Sequence, residues 1–373
     1  MNQSDLIRNA HMPDANLAKK GYIRWWHSFV GINESTGESR TFFIEYFILN
    51  PANGKDIPVL AQHPYYRKKN MSSSYVQIKA GVFADREHEG LLINNYYPVS
   101  ALHAASDPLF FQVEDCICSE TRIMGSVCAT EQEASKRYLM TEAGSMSWDV
   151  ELHKAVSFHA GWACSRLATA LGVLDSFFHG EGIKTFFRGS VTLNGEDYTV
   201  SPEFGSGYCD KHWGRGYNKP WILIAGTEMY SVTRGGKLRH TAICINGCCP
   251  KFLRFPLKRK IMMQLTYMGE DFEFNFTKPS LRSRIKWKFK KSDKRFVWNF
   301  VGENKNSVVK VSFGLRNRDL TKITYESAGV NEELMDVNAS CSAKGRVLLY
   351  RKTPEGLKPV DTLEIDNALT VFS

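Results

Sequence analysis

The sequence predicts an all-β protein of two antiparallel β-barrel or sandwich domains with few short helices. Short runs rich in aromatic and β-branched residues recur along the chain and are separated by polar segments with Gly, Asn or Pro. Strands and helices do not alternate as they do in parallel α/β folds. The 373 residues suffice for two domains, and the composition shifts after Gly216. We therefore expect domains at residues 1–215 and 216–373.

The first predicted strands, residues 22–30 and 41–49, follow a polar arm at residues 1–20. The loop Asn-Glu-Ser-Thr-Gly-Glu-Ser separates them, so together they predict an antiparallel hairpin. The second strand is apolar on both faces apart from Glu45, which suits a strand buried between two layers. A buried carboxylate must be paired, protonated or catalytic. Glu45 therefore either pairs with Arg24 on the neighbouring strand or belongs to a pocket.

Further short strands are predicted at residues 58–62, 74–79, 91–96, 110–115, 120–128 and 145–154. Two segments have helical character: a capped turn within 131–143, and 165–178, where leucines recur at helical spacing. Residues 184–193 and 198–202 then flank Asn194-Gly195, a dipeptide that strongly indicates a tight hairpin. This hairpin places residues 207–214 on the next strand of an antiparallel meander.

That next strand carries the densest set of reactive side chains, in the run Gly-Tyr-Cys-Asp-Lys-His-Trp-Gly. In an extended strand Tyr208, Asp210 and His212 point to one face, whereas Lys211 and Trp213 point to the other. Desolvation raises the pKa of a buried carboxyl, and a neighbouring imidazole can shuttle its proton. Asp210 is therefore a candidate general acid. The alternative is that the charged residues make only local contacts at a sheet edge.

This run, followed by Pro220-Trp221, resembles the signature of the tocopherol cyclase-like family, in which an aromatic residue, an acid, Lys, a variable residue, Trp and Gly follow one another. Residues 182–195 (Gly-Ile-Lys-Thr-Phe-Phe-Arg-Gly-Ser-Val-Thr-Leu-Asn-Gly) and 42–47 (Phe-Phe-Ile-Glu-Tyr-Phe) look like bacterial members, and the likeness spans most of residues 20–230. Carotenoid hydratases and fungal lipocalin-like Diels-Alderases belong to the wider set. The resemblance implies two calycin-like or lipocalin-like domains that bind hydrophobic molecules and work without a redox cofactor.

The resulting hypothesis is a cofactor-independent cyclase, hydratase or isomerase that protonates a double bond of a prenylated phenol, polyene or unsaturated fatty acid. The expected catalytic residues are Asp210, His212, Lys211 and Glu45. The expected substrate contacts are Trp26, Tyr46, Tyr208, Trp213 and Trp221, since indole faces stabilise cations. Two alternatives stay open: a lipid-binding protein that needs no acid, and a pericyclase that only preorganises its substrate.

The second half of the chain predicts ten short strands between residues 221 and 368. In residues 282–290 Arg and Lys alternate with Ile285, Trp287 and Phe289, which predicts a strand with one basic and one apolar face. The basic side chains either form a solvated outer face or attract an anionic partner, such as a membrane surface. Nucleic acid is not expected as a partner, because no recognised binding motif accompanies the stripe.

The overall composition favours a globular protein that works in the cytoplasm. The net charge is +9, and no apolar run approaches the roughly 20 residues of a membrane span. Nine cysteines without regular spacing suggest reduced thiols rather than a disulfide framework or a metal site. We therefore expect no metal, and the resemblance implies that no cofactor is needed.

Overall fold

The computed structural model describes residues 3–10, 12, 18–106, 108–158, 176–216, 221–249, 251–252, 255–256, 258–275, 282–330 and 334–373. The expected all-β fold is confirmed: 63% of the residues lie in strands, three helices are short, and one sheet closes into a barrel while the other forms a half-barrel. Among the described residues, no helix has the length and apolar character that crossing a bilayer requires.

The first sheet contains twelve strands and is accompanied by all three helices. The helices are α1 (Gln3–Ala10), α2 (Pro64–Lys68) and α3 (Glu131–Ala134). The strands are β1 (Tyr22–Ile32), β2 (Ser39–Leu49), β3 (Tyr75–Val82), β4 (Leu91–Tyr97), β5 (His103–Ser106), β6 (Leu109–Val113), β7 (Cys116–Ser119), β8 (Arg122–Ala129), β9 (Gly144–Phe158), β10 (Ser176–Leu193), β11 (Glu196–Val200) and β12 (Gly207–Gly214).

The second sheet also contains twelve strands, and a separate two-stranded ribbon accompanies it. Its strands are β13 (Ile222–Gly226), β14 (Tyr230–Ser231), β15 (Gly236–Lys237), β16 (Ala242–Cys248), β19 (Lys260–Tyr267), β20 (Glu270–Phe274), β21 (Arg284–Lys291), β22 (Arg295–Glu303), β23 (Ser307–Arg316), β24 (Thr321–Tyr325), β25 (Met335–Thr353) and β26 (Gly356–Phe372). The ribbon pairs β17 (Lys251–Phe252) with β18 (Phe255–Pro256). The first sheet ends at Gly214 and the second begins at Ile222, on either side of the expected boundary; the division into two domains stays a prediction.

Both predicted hairpins form. Strands β1 and β2 pair antiparallel along their whole length, and β10 pairs with β11 across the Asn194-Gly195 turn. Both turn residues have positive φ, at 50° and 86°, as a two-residue turn of this kind requires. The short helix that begins at Glu131 is closed by a capping box between Thr130 and Glu133.

Three predictions about elements need correction or fall outside the description. Residues 58–62 form only an isolated bridge, Val59 to Ser74, rather than a strand. The helix predicted at 165–178 falls mainly on residues 159–175, which lie outside the described residues, while Ser176 onward belongs to β10. The motif strand β12 does not follow β11 in a meander. Because β10 is 18 residues long, β11 pairs with its C-terminal part and β12 with its N-terminal part, and both also pair with β1.

The two sheets share the larger of two hydrophobic cores. It combines first-sheet residues with residues of β13, β16, β24 and β25, and the smaller core fills the inside of the second sheet. Strand β2 is buried on both faces because it lies between these layers: Phe47 contacts Tyr325 of the second sheet, and Tyr46 contacts Phe111 of the first. We call the face of the first sheet that carries Phe47 the interface face, and the face that carries Tyr46 the inner face.

Candidate functional site

Four neighbouring strands bring a row of polar side chains together on the interface face. The register sets Asp210 of β12 opposite Trp26 of β1, Trp26 opposite Glu45 of β2, and Glu45 opposite Lys79 of β3. Directly opposite residues in an antiparallel sheet point to the same face. Two carboxylates and a lysine, each at most 1% exposed, therefore lie in one line across the sheet.

Glu45 is the fully paired carboxylate of this row. It accepts hydrogen bonds from Lys79 Nζ at 3.0 Å, Arg24 Nη1 at 3.0 Å and the Tyr325 hydroxyl at 2.8 Å. Burial opposes its ionisation, but Lys79 and Arg24 outweigh burial and hold the pKa of Glu45 below its ordinary value. The expected ion pair with Arg24 is confirmed, and Glu45 is a permanent anion at neutral pH.

Asp210 has fewer partners. Its Oδ2 accepts a hydrogen bond from the Tyr208 hydroxyl at 2.9 Å, and its Oδ1 lies 3.5 Å from Arg24 Nη2. Burial raises the pKa of Asp210 to about 6, although Arg24 and the hydrogen bond from Tyr208 counteract it. Asp210 can therefore bind and release a proton near neutral pH, which Glu45 cannot.

His212 lies on the same face but is held as a neutral ring. Its Nδ1 is 2.5 Å from the Tyr22 hydroxyl, and the imidazole stacks on Trp221 with ring centroids 5.2 Å apart. Burial and the nearby Arg24 lower the pKa of His212 well below its ordinary value. The ring therefore supports the aromatic wall of the site and is a poor proton acceptor there.

Arg24 joins the two carboxylates and the aromatic residues. Its guanidinium lies 4.9 Å from the ring centroid of Trp221 and 5.6 Å from that of Trp26. Within the described part of the chain, Arg24 Nε and the indole Nε1 atoms of both tryptophans are buried N–H donors without a hydrogen-bond acceptor. Buried donors are normally satisfied, so these three N–H groups can serve an oxygen atom of a ligand or water.

A cavity of about 220 Å³ opens next to Tyr208, and its wall does not include Asp210, Arg24, Trp26 or Trp221. Its wall includes Ser28, Phe29, Tyr208, Cys341 and Leu369, so strands of both sheets contribute. Ser28 lies opposite Tyr208, two positions along the strands from the Trp26 and Asp210 pair, or roughly 7 Å. Tyr208 thus borders the cavity and donates its hydroxyl hydrogen to Asp210.

The other predicted site residues lie on the inner face, away from Asp210. Lys211 Nζ donates to the carbonyl oxygens of Arg8 at 3.0 Å and Asn9 at 2.8 Å, at the C-terminal end of α1. The Tyr46 hydroxyl donates to the carbonyl oxygen of Ile117 at 2.8 Å. Trp213 stacks on Phe177 with ring centroids 5.5 Å apart. The structure therefore brings Asp210, Glu45, Trp26, Tyr208, His212 and Trp221 together and separates Lys211, Tyr46 and Trp213 from them.

The inner face has its own ionic cluster near Lys211. Lys154 Nζ bridges Glu120 Oε2 at 2.8 Å and Glu181 Oε2 at 2.7 Å, and Asn9 of α1 also donates to Glu120. Burial lowers the pKa of Lys211 to about 7, although Glu181 counteracts it.

Sequence reasoning missed Lys79, Tyr325 and Tyr22. Lys79 could have been found from the local sequence, since a lysine in a mostly apolar strand next to a strand with a buried Glu suggests an ion pair between them. The local sequence gives no indication of Tyr325, because this residue reaches Glu45 from the second sheet, 280 positions away in the chain.

No family model and no curated protein matches the chain. Among solved structures, an AttH-like protein of Nitrosomonas europaea is similar over 94% of this chain and 92% of its own, at 11% identity and a TM-score of 0.43. A kievitone hydratase from Nectria haematococca is similar over 96% and 90%, at 10% identity and the same TM-score. At these values neither likeness identifies a reaction. The tocopherol cyclase-like resemblance therefore stays a prediction.

Proposed function

We propose that this protein is a cofactor-independent enzyme that protonates a carbon–carbon double bond of a hydrophobic substrate bound between the two sheets. The observation that carries the proposal is Asp210, a buried carboxyl with a pKa near 6 whose hydrogen-bonded neighbour, Tyr208, borders a cavity. Perturbed titratable groups beside a cavity are characteristic of acid–base catalysis.

The site balances charge during such a reaction. With Asp210 protonated, Glu45 opposes two cations, Arg24 and Lys79. When Asp210 gives its proton to substrate carbon, the new carboxylate becomes the counter-ion of the cationic centre on the substrate. In each outcome the Asp210 carboxylate takes a proton back. It comes from the water that captures the centre in hydration, from the substrate hydroxyl that captures it in ether formation, or from a neighbouring carbon in isomerisation.

The cavity and its donors narrow the substrate class. The volume of about 220 Å³ is below the roughly 300–1,000 Å³ of most ligand pockets, which favours a compact molecule over a long polyene. In the proposed binding mode a substrate oxygen extends from the cavity to the indole N–H groups of Trp26 and Trp221, which lack an acceptor but do not themselves line the cavity. A prenylated phenol, with a hydroxyl group and one unsaturated arm, meets both conditions best.

The test is to incubate the purified protein in deuterated water with prenylated phenols, polyenes and unsaturated fatty acids, and to read the products by mass spectrometry. We expect enzyme-dependent deuterium at carbon in one compound class. Asp210→Asn should slow this reaction by about 10²-fold or more while substrate affinity is kept, since general acids contribute about 10²–10⁴ to rates.

Asp361→Asn is the matched control. Asp361 of β26 is also buried and accepts from a tyrosine hydroxyl, Tyr267 at 2.9 Å. Tyr267 does not line the cavity, whereas Tyr208, the donor to Asp210, does. Full turnover by Asp210→Asn refutes the acid assignment. Binding without any product supports a lipid-binding protein, and rearrangement without label supports a pericyclase.

A further inference from the structure

Four strands at one edge of the second sheet, β21, β22, β23 and β25, expose a common outward surface. Their registers decide which side chains share it: Lys286 lies opposite Val301, Val301 opposite Lys310, and Lys310 opposite Leu348. Intervening residues such as Trp298 and Phe313 point instead into the second core. We call this outward surface the basic face.

Ten cationic side chains lie on the basic face: Arg284, Lys286, Lys288, Lys290, Arg295, Lys310, Arg316, Lys344, Arg346 and Lys352. Ion pairs there join Lys352 to Glu303 at 2.7 Å, Lys344 to Asp366 at 3.2 Å and Arg316 to Asp319 at 3.1 Å. Strand β21 itself, Arg-Ile-Lys-Trp-Lys-Phe-Lys-Lys, has five cations and no acid. The basic face therefore carries a local excess of positive charge.

Partly exposed apolar side chains lie between these cations. Val297, Val301, Leu348 and Tyr350 are all of intermediate exposure and belong to the outward rows of the same strands. Cations at headgroup level together with shallow apolar side chains are what binding to an anionic bilayer requires.

The same surface fits nucleic acid poorly. Reading a duplex groove requires a projecting helix or ribbon, and binding single strands requires exposed aromatic rings for stacking. In these four strands Tyr350 is the one aromatic residue on the basic face, and Lys310 Nζ lies over its ring at 5.2 Å. The other aromatic residues of the strands lie on the opposite face of the sheet; among them Phe289 is 41% exposed and stacks on Phe296 and Trp298.

We propose that the basic face docks on an anionic lipid bilayer. Each lysine or arginine near such a surface adds about fivefold to binding at low salt, and screening by salt removes much of this attraction. The proposal does not depend on the reaction proposed above, because none of the ten cations of the basic face lines the cavity beside Tyr208. The two regions meet at Asp366, which lines the cavity and pairs with Lys344.

The experiment is co-sedimentation with vesicles of phosphatidylcholine alone and of phosphatidylcholine with about 30% phosphatidylserine. We expect the protein to sediment with the anionic vesicles, to dissociate from them as the salt concentration rises, and not to bind the neutral vesicles. The combined variant Lys286→Glu/Lys288→Glu/Lys290→Glu should bind the anionic vesicles at least about 100-fold more weakly. Equal binding of both vesicle types, or unchanged binding by this variant, overturns the proposal.

The control variant is Lys55→Glu/Lys68→Glu/Lys136→Glu, which reverses three exposed lysines of the first half of the chain. Both variants lower the net charge from +9 to +3. If the control loses as much binding as the β21 variant, net charge rather than the basic face explains the attraction. If duplex DNA binds as tightly as the anionic vesicles, and the β21 variant loses this binding to the same extent, then the partner of the basic face is nucleic acid rather than a lipid surface. Circular dichroism of both variants verifies that they fold.

Discussion

The interface face and the inner face of the first sheet each hold a cluster of two carboxylates and two cationic side chains, yet the charges are arranged differently. On the interface face Glu45 takes both cations, Arg24 and Lys79, and leaves Asp210 only a distant contact with Arg24. On the inner face one cation, Lys154, holds both Glu120 and Glu181. Lys211 is left to bind the carbonyl groups of α1.

In each cluster the group with the weakest ionic pairing titrates near neutral pH. Burial raises the pKa of Asp210 to about 6 and lowers that of Lys211 to about 7. The two residues are consecutive in β12, so strand alternation alone separates their surroundings. Asp210 lies beside Tyr208 and a cavity, whereas Lys211 is covered by a helix. A perturbed pKa indicates a functional group only where a ligand can reach it.

Removal of Glu45 should have the largest effect on stability. Glu45→Gln leaves Arg24 and Lys79 buried near each other without their anion, and breaking a buried pair costs about 3–5 kcal/mol of unfolding free energy. Urea denaturation measures the loss. Adding Lys79→Met should recover part of it by removing one unpaired charge. A loss below about 1 kcal/mol in the single variant contradicts the network described for Glu45.

The pH dependence of stability should distinguish Asp210 from Glu45. Because burial raises the pKa of Asp210 from 3.8 to about 6, the folded state binds more protons between these values, and stability falls as pH rises through them. The shift corresponds to about 3 kcal/mol. The pKa of Glu45 is lowered instead, so its ionised form stabilises the fold, and this contribution is lost as pH falls below the ordinary pKa of a glutamate. Urea denaturation across this pH range should show the Asp210 contribution in the wild type and not in Asp210→Asn.

Lys211→Met should have a smaller and more local effect. It leaves the carbonyl groups of Arg8 and Asn9 without the Lys211 ammonium donor, at a cost of about 1–3 kcal/mol. Hydrogen exchange should show faster exchange in α1 with little change in β1 and β2. Lys288→Met, at an exposed position, is the control and should leave α1 protected. Equal exchange in both variants refutes the anchoring role of Lys211.

The sequence could predict what depends on local patterns. Alternation within residues 207–214 predicts the two faces of β12, Asn194-Gly195 predicts the turn, and the isolated acid in β2 predicts a partner for Glu45. It could not predict that β10 is long enough to pair with both β11 and β12, which sets Asp210 against Trp26. Nor could it predict Tyr325, whose approach to Glu45 depends on how two sheets pack.

Tyr208→Phe should have the smallest effect on stability and the most specific effect on titration. The lost hydrogen bond is worth about 1 kcal/mol. Because that bond lowers the pKa of Asp210, its loss should raise the pKa above about 6, and the pH profile of turnover should move to higher pH. Tyr46→Phe removes a comparable hydroxyl from the inner face and should leave the profile unchanged. If both variants shift the profile equally, Tyr208 is not the group that tunes Asp210, and the distinction between the two faces fails for these tyrosines.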